Sequence, residues 1–316
     1  MQYCRFLVQD INLEPAAVQP CCDVHGVEVP HFPFAGGYLD MSAYAAHVAK
    51  CLERLHTDGD RLCRGCHELA TLEGTEDSDR VLSVGPFRSV SINAHRYLCN
   101  CRCVYCTLWR GGHAGYPVLP VLKSLHAQQV LHSDCVFSWG GGEPSLLHDF
   151  EESSAWIRGH GWWQYIHTNA LRFSPAIAEL LRLGRGVINV SLDSGSPEVY
   201  HRVKGVPRFD QVCDHLKRYM EAAAHKDDIR LKYIIFEPNN SPVEVEKFFS
   251  ICSRLGVSVV EYSLNFKELN GAGPSENTLI CAAFFQARAR ALGLSCVPFF
   301  VPPQWQTAIE KHLAKF

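Results

Sequence analysis

Cys99, Cys103 and Cys106 make the spacing C-x3-C-x2-C, with Tyr105 just before the last cysteine. Three thiolates on one short loop can hold three irons of a 4Fe–4S cube. The fourth iron is then without a protein ligand and open to a small molecule. A zinc knuckle on the same residues would want a fourth ligand and paired C-x2-C units. This spacing therefore constrains the fold around it: the loop needs a rigid frame with room beside it for a second ligand.

The chain is long enough to supply that frame. Its 316 residues suffice for one large α/β domain plus a small one. Apolar residues make up 47% and charged residues 20%, which allows an ordinary core. The net charge of −3 and the lack of a basic stretch give no nucleic-acid footprint. No apolar run approaches the ~18 residues of a membrane span. The start, Met1-Gln2-Tyr3-Cys4-Arg5-Phe6, lacks a charged region followed by an apolar one, so no secretion signal is expected. The fifteen cysteines, some of them grouped at metal-ligand spacings, then read as reduced thiols in a cytoplasmic protein, several of them bound to iron.

Along the chain, residues 1–72 hold six cysteines and little periodicity. The acidic, polar run Glu73 to Asp79 reads as a surface linker. Beyond it, β-type runs at Arg88–Asn93, Cys135–Trp139, Tyr165–Thr168, Gly186–Leu192, Ile229–Phe236 and Val257–Phe266 alternate with helical patterns. The helical patterns fall near 117–131, 148–159, 174–184, 209–225, 242–254 and 275–292. Ser241-Pro242-Val243-Glu244 and Ser174-Pro175 mark helix starts. Such alternation predicts a parallel sheet with helices outside it. Six β/α units are too few for a closed eight-stranded barrel.

The second of these strands runs into Gly140-Gly141-Gly142-Glu143. The fourth ends in Ser191-Leu192-Asp193-Ser194, followed by His201-Arg202-Val203-Lys204. With the cysteine loop after the first strand, this set resembles the radical S-adenosylmethionine (radical SAM) enzymes. Their GGE motif and S-L-D-G…H-x-x-R segment have counterparts here. The resemblance spans about 85–270. It implies an α/β fold, a partial (β/α)6 TIM-type barrel with a small cysteine-rich N-terminal domain. It also implies that SAM ligates the open iron. By the same resemblance Cys99, Cys103 and Cys106 hold the cluster. Gly140, Gly141, Gly142, Glu143, Asn169, Ser191 and Arg202 would bind SAM. Glycines let backbone approach a ligand closely, and a guanidinium fork suits a carboxylate.

Strand alternation adds an independent expectation. Residues two apart on a strand share a face. Asn189, Ser191 and Asp193 therefore share one face, as do Glu261, Ser263 and Asn265, His167 and Asn169, and Ser89, Ser91 and Asn93. Both faces of a central parallel strand are ordinarily apolar. A recurring polar face predicts a wet, ligand-holding lumen. Lys232 could face it or sit at a strand end.

The N-terminal cysteines form a second group. Cys63-Arg64-Gly65-Cys66 is a C-x2-C unit, with Cys4, Cys21 and Cys22 upstream. The spacing from Cys4 through Ala16 to Cys21 resembles the auxiliary-cluster pattern of SPASM and twitch domains, here ahead of the core. That resemblance implies a second 4Fe–4S cluster on Cys4, Cys21, Cys63 and Cys66, with Cys22 the rival to Cys21. A structural zinc on the same thiolates is the other reading. The expected domains are thus 1–80, cysteine-rich; 81–270, the core; and 271–316, a helix and tail completing the barrel.

The resemblance implies reductive cleavage of SAM to a 5′-deoxyadenosyl radical, which takes hydrogen from a substrate C–H bond. A one-electron donor such as flavodoxin or ferredoxin would feed the cluster. Glu261, Asp193 and His167 are the expected proton-moving, catalytic residues. A small polar or sugar-like substrate, oxidised or epimerised, is the expectation. The alternatives are a peptide-modifying maturase and a non-catalytic iron–sulfur sensor or scaffold. No nucleic acid or membrane partner is expected.

Overall fold

The computed structural model describes residues 2–21, 30–55, 70–71, 84–112 and 115–316. Cys22, Cys63, Cys66 and the acidic linker lie outside the described residues. The described chain forms two compact units, Met1–Leu98 with Gly112–Tyr165, and Cys99–Gly111 with Ile166–Phe316. The strands are β1 (Gln2–Tyr3), β2 (Asp10–Glu14), β3 (Ala17–Gln19), β4 (Phe32–Pro33), β5 (Ala70–Thr71), β6 (Phe87–Ile92) and β7 (Leu131–Trp139). They continue as β8 (Trp163–Thr168), β9 (Gly186–Ser191), β10 (Ile229–Ile235), β11 (Val259–Leu264) and β12 (Ser295–Pro298). No helix among the described residues is long and apolar enough to cross a membrane.

In the first unit, β7, β6 and β2 are parallel neighbours, and β3 and β4 extend the edge antiparallel. Asp10 lies opposite Ser89 and Leu13 opposite Ile92, so a strand from the N-terminal segment continues the core sheet. β2 carries no periodic signal because a five-residue strand is too short to show one. Helix Met41–Leu55 buries Tyr44, Val48 and Leu52. Trp139, at the end of β7, is fully buried and meets the Phe150 ring at 4.9 Å. Its indole N–H donates to Gln164 Oε1 at 3.0 Å, and Gln164 Nε2 donates to the Ser154 carbonyl. A buried indole needs such a partner.

In the second unit, β9, β10, β11 and β12 are parallel neighbours in register, with the C-terminal half of β8 beside β9. Helices Pro175–Arg182, Phe209–Ala222, Pro242–Leu255 and Glu276–Ala291 fall where periodicity places them. Ser174 and Ser241 cap as their sequences predict, accepting from Ile177 N and Glu244 N at 3.2 Å. Tyr233 and Tyr262 point to the helical side, where their rings meet Phe248 at 5.0 Å and Phe285 at 5.8 Å. Strand alternation therefore turns their neighbours Lys232 and Glu261 the other way.

That inner face is curved. The ring of His167 on β8 lies 6.0 Å from that of Phe299, just past β12. Four strand spacings of ~4.8 Å would put a flat sheet's edges about 19 Å apart. The sheet must curl for these rings to meet, which is the geometry of a partial barrel with an inner lumen.

Candidate active site

The cysteine loop, 99–111, belongs to the second unit. Cys99, Cys103 and Cys106 are half-buried, whereas Cys101 between them is buried. The Cys101 amide donates to Cys99 Sγ at 3.5 Å, and Asn169 Nδ2 approaches the same sulfur at 3.7 Å. Asn169 also donates to Asn100 Oδ1 at 2.7 Å. The predicted SAM-binding residue Asn169 thus braces the loop at its first cysteine. Cys103 has its thiol pulled down below the usual range by the Cys101 side chain and, against burial, by the Lys204 ammonium. A lowered thiol pKa favours the thiolate that iron requires. Burial pushes the Cys106 thiol up.

The loop is tied to helix Pro197–Lys204. Arg102 N donates to the Lys204 carbonyl at 2.8 Å and Val104 N to the Val203 carbonyl at 3.0 Å. Gly205, in the left-handed region at φ 70°, closes this contact; a Cβ there would stand 2.7 Å from the Arg102 carbonyl oxygen. Beneath lies a buried network. The Tyr105 hydroxyl donates to Asp193 Oδ2 at 2.7 Å, and Lys204 Nζ donates to the Tyr105 hydroxyl at 2.9 Å and to Asp193 Oδ2. Asp193 Oδ1 accepts from Ile234 N at 2.7 Å. Both Asp193 oxygens are therefore engaged, which suits a brace better than a proton carrier. Arg202, by contrast, is exposed and donates to the Pro238 carbonyl at 3.1 Å.

Lys204 is the residue that sequence reasoning passed over. Counting strictly, His201-Arg202-Val203-Lys204 places the cation of H-x-x-R at 204, not 202. Lys204 is 1% exposed, and nothing in its composition distinguishes it from a surface lysine.

Further into the lumen stands a second polar set. Lys232 on β10 is in register with Ser191 on β9 and with Glu261 on β11, so the three share one layer. Lys232 Nζ stands 3.6 Å from Glu261 Oε1, an ion pair longer than a hydrogen bond, and 3.3 Å from the centre of the Phe299 ring. Glu261 is 1% exposed, and its Oε1 accepts no hydrogen bond from a described residue. Burial lowers Lys232 to about 8 against the pull of Glu261. Burial and the nearby Lys232 lower His167 to about 4, so it is a neutral imidazole at neutral pH. Asn189, one pleat away on β9, is fully buried.

The glycine turn lies in the first unit. Gly141 has φ 85°, and a Cβ on Gly142 would lie 2.3 Å from the Leu98 carbonyl oxygen and 2.4 Å from that of His95. Only glycine permits this approach of backbone to backbone. Glu143 N donates to the Leu98 carbonyl at 2.7 Å. The buried Glu143 carboxylate accepts from Ser145 Oγ at 2.7 Å and Ser145 N at 3.2 Å. Its side chain caps the following turn. At the end of β6, Arg96 Nη2 and Asn93 Nδ2 both donate to Glu14 Oε1, at 2.8 and 2.9 Å.

Cys99, Cys103 and Cys106, half-buried thiols on one short loop, suit three corners of an iron–sulfur cube. A model of the radical SAM superfamily matches residues 95–260. The chain belongs to the radical SAM superfamily. Its cofactors are accordingly a 4Fe–4S cluster and SAM.

Relatives of this radical SAM protein span different chemistry. GTP 3′,8-cyclase of Haemophilus influenzae strain PittEE is 30% identical over 162 residues, 48% of this chain and 45% of that protein. Mycofactocin maturase MftC of Mycobacterium tuberculosis H37Rv is 26% identical over 169 residues, 52% and 41% of the two chains. The chain thus spans less than half the length of these relatives. Streptococcus suis SuiB bound to S-adenosylmethionine matches in structure with a TM-score of 0.55 at 15% identity, covering 86% of this chain and 58% of SuiB. Native anSMEcpe with bound AdoMet and Cp18Cys peptide matches with a TM-score of 0.52 at 18% identity, covering 66% and 62%. These likenesses show the fold, an α/β parallel sheet of the partial-barrel kind.

When bound, the cluster and SAM supply reductive cleavage and hydrogen-atom abstraction from a C–H bond. The chain's residues divide the remaining work. Cys99, Cys103 and Cys106 would hold the cluster, and Asn169, Tyr105, Asp193 and Lys204 brace their loop. Phe299 and the curled sheet limit water around Lys232 and Glu261.

Proposed function

We propose that this radical SAM enzyme takes hydrogen from a small, neutral, polar substrate held in the lumen by Lys232 and Glu261. The observation that carries the reading is the open, buried ion pair. Lys232 Nζ and Glu261 Oε1 stand 3.6 Å apart, and Oε1 accepts no hydrogen bond from a described residue, so a ligand can come between them. A hydroxylated ligand offers an oxygen to the first and an O–H to the second. The pair is neutral overall, so a neutral ligand satisfies both ends without burying net charge. Ser191 lies in the same layer. Neutral His167 and Glu261 would accept or return a proton as the product forms. Oxidation and epimerisation both fit this set.

The likeness to MftC favours peptide modification as a second reading. An amide also carries a donor and an acceptor side by side. The deciding experiment is anaerobic SAM cleavage under reduction with panels of polyols and of short peptides. Stimulated 5′-deoxyadenosine release by a polyol supports the first reading. Stimulation by peptides alone would replace it with the second.

Cys4, at the start of helix Arg5–Gln9, is buried, and Cys21 is half-buried. They are the described members of the proposed second cluster or zinc site. About eight irons per reconstituted chain would support the second cluster. A cytoplasmic one-electron donor, flavodoxin or ferredoxin, completes the proposal.

A further inference from the structure

Lys204 touches the cysteine loop twice. Its carbonyl accepts the Arg102 amide and its ammonium bonds the Tyr105 hydroxyl, at 2.8 and 2.9 Å. Val104, on the other side of Cys103, is tied to the Val203 carbonyl. Cys103 is therefore held over the last turn of helix Pro197–Lys204. That is the negative end of a helix, and the Asp193 carboxylate lies beside it. Both would oppose the negative charge of three thiolates and of a cluster gaining an electron. The Lys204 ammonium, 1% exposed, is the charge that offsets them. In so dry a place a charge acts over several ångströms with little screening.

We propose that Lys204 is a positioning residue for the cluster: braced by Asp193 and Tyr105, it fixes the loop at Cys103 and makes the cluster easier to reduce. This rests on the reading of Cys99, Cys103 and Cys106 as its ligands. The two roles separate by variant. Lys204→Met removes the charge. Lys204→Arg keeps it. Tyr105→Phe keeps both charges and removes only the bridging hydroxyl.

The test is a redox titration, followed by electron paramagnetic resonance, of the anaerobically reconstituted full chain and its variants, with iron and sulfide counted in each. Lys204→Met is expected at a more negative midpoint than wild type, with Lys204→Arg and Tyr105→Phe close to wild type. A wild-type midpoint in Lys204→Met overturns the inference. So does a shift in Tyr105→Phe as large as in Lys204→Met, because loop geometry would then be the cause. Should Lys204→Met take up no iron, the pair Lys204→Met/Asp193→Asn buries no lone charge and decides the matter. Asp193→Asn is the reference for the pair: a midpoint below that of Asp193→Asn supports the inference, and one at or above it overturns it. Wild-type protein without iron would instead remove the reading of the cysteines as cluster ligands.

Discussion

Lys232 and Glu261 sit opposite each other on adjacent parallel strands, with the ammonium 3.6 Å from a carboxylate oxygen that accepts no hydrogen bond from a described residue. Buried pairs of this kind add little net stability, yet removing one member leaves a lone charge in the interior. Lys232→Met is therefore expected to destabilise the protein by about 3–5 kcal/mol, read by chemical denaturation. Lys232→Met/Glu261→Gln removes both charges and should regain most of that loss. If the pair holds substrate, the double variant remains folded while substrate-stimulated SAM cleavage falls roughly ten- to a hundredfold, the worth of one or two buried hydrogen bonds. Full turnover in a folded double variant would remove the pair from the substrate site.

The cysteine loop gives a sharper contrast. Cys99→Ala, Cys103→Ala and Cys106→Ala are each expected to abolish reductive SAM cleavage and to lower iron. Cys101→Ala should retain iron, because Cys101 is buried, stands outside the three-thiolate set, and keeps its backbone amide to Cys99 Sγ when the side chain is cut. Iron and 5′-deoxyadenosine measured in all four variants check this. Retained cleavage in the first three would sink the ligand assignment.

These positions also show what could be read from sequence. The six core strands and their helices were legible because long periodic segments bury one face and expose the other. Ser191, Asp193, Glu261 and His167 were expected on inner faces by period alone, and Lys232 and Glu261 meet there. Short strands such as β3, β4 and β12 were not legible, since two to four residues hold no period. Helix Pro197–Lys204 was missed because its last turn, His201 to Lys204, reads as polar and exposed. The burial of Lys204 follows from a tertiary pairing with Asp193 that no local pattern carries. Phe299 lies outside any strand and gave no signal that its ring would support an ammonium.

The glycine turn yields a steric prediction. In Gly142→Ala the new methyl would stand 2.3 Å from the Leu98 carbonyl oxygen, and backbone must move. Overpacking of this sort costs about 1–3 kcal/mol. SAM binding by equilibrium dialysis should weaken about ten- to a hundredfold if that backbone binds the ligand. Gly140→Ala should be milder, because its methyl meets the Asn93 side-chain oxygen at 3.0 Å, a group able to give way. Equal binding in both variants would argue against a role for this turn.

Acid should unfold the protein through two buried imidazoles. His95 is fully buried, neither ring nitrogen has a hydrogen-bond partner among the described residues, and burial, aided by Arg96, lowers it from 6.5 to about 3. His167 is lowered from 6.5 to about 4. Between those values the unfolded chain binds protons that the folded chain refuses. The stability from each histidine is therefore complete above about pH 6.5 and is lost as the pH falls through its folded value, at about 1.4 kcal/mol per pH unit per group. Denaturation midpoints measured from pH 7.5 to 4.5 should fall steeply below 6.5. His95→Phe keeps an apolar ring in the buried site and should shallow that slope by about one proton. An unchanged slope in His95→Phe would mean that His95 takes up a proton in the folded state, with a partner that relieves its burial.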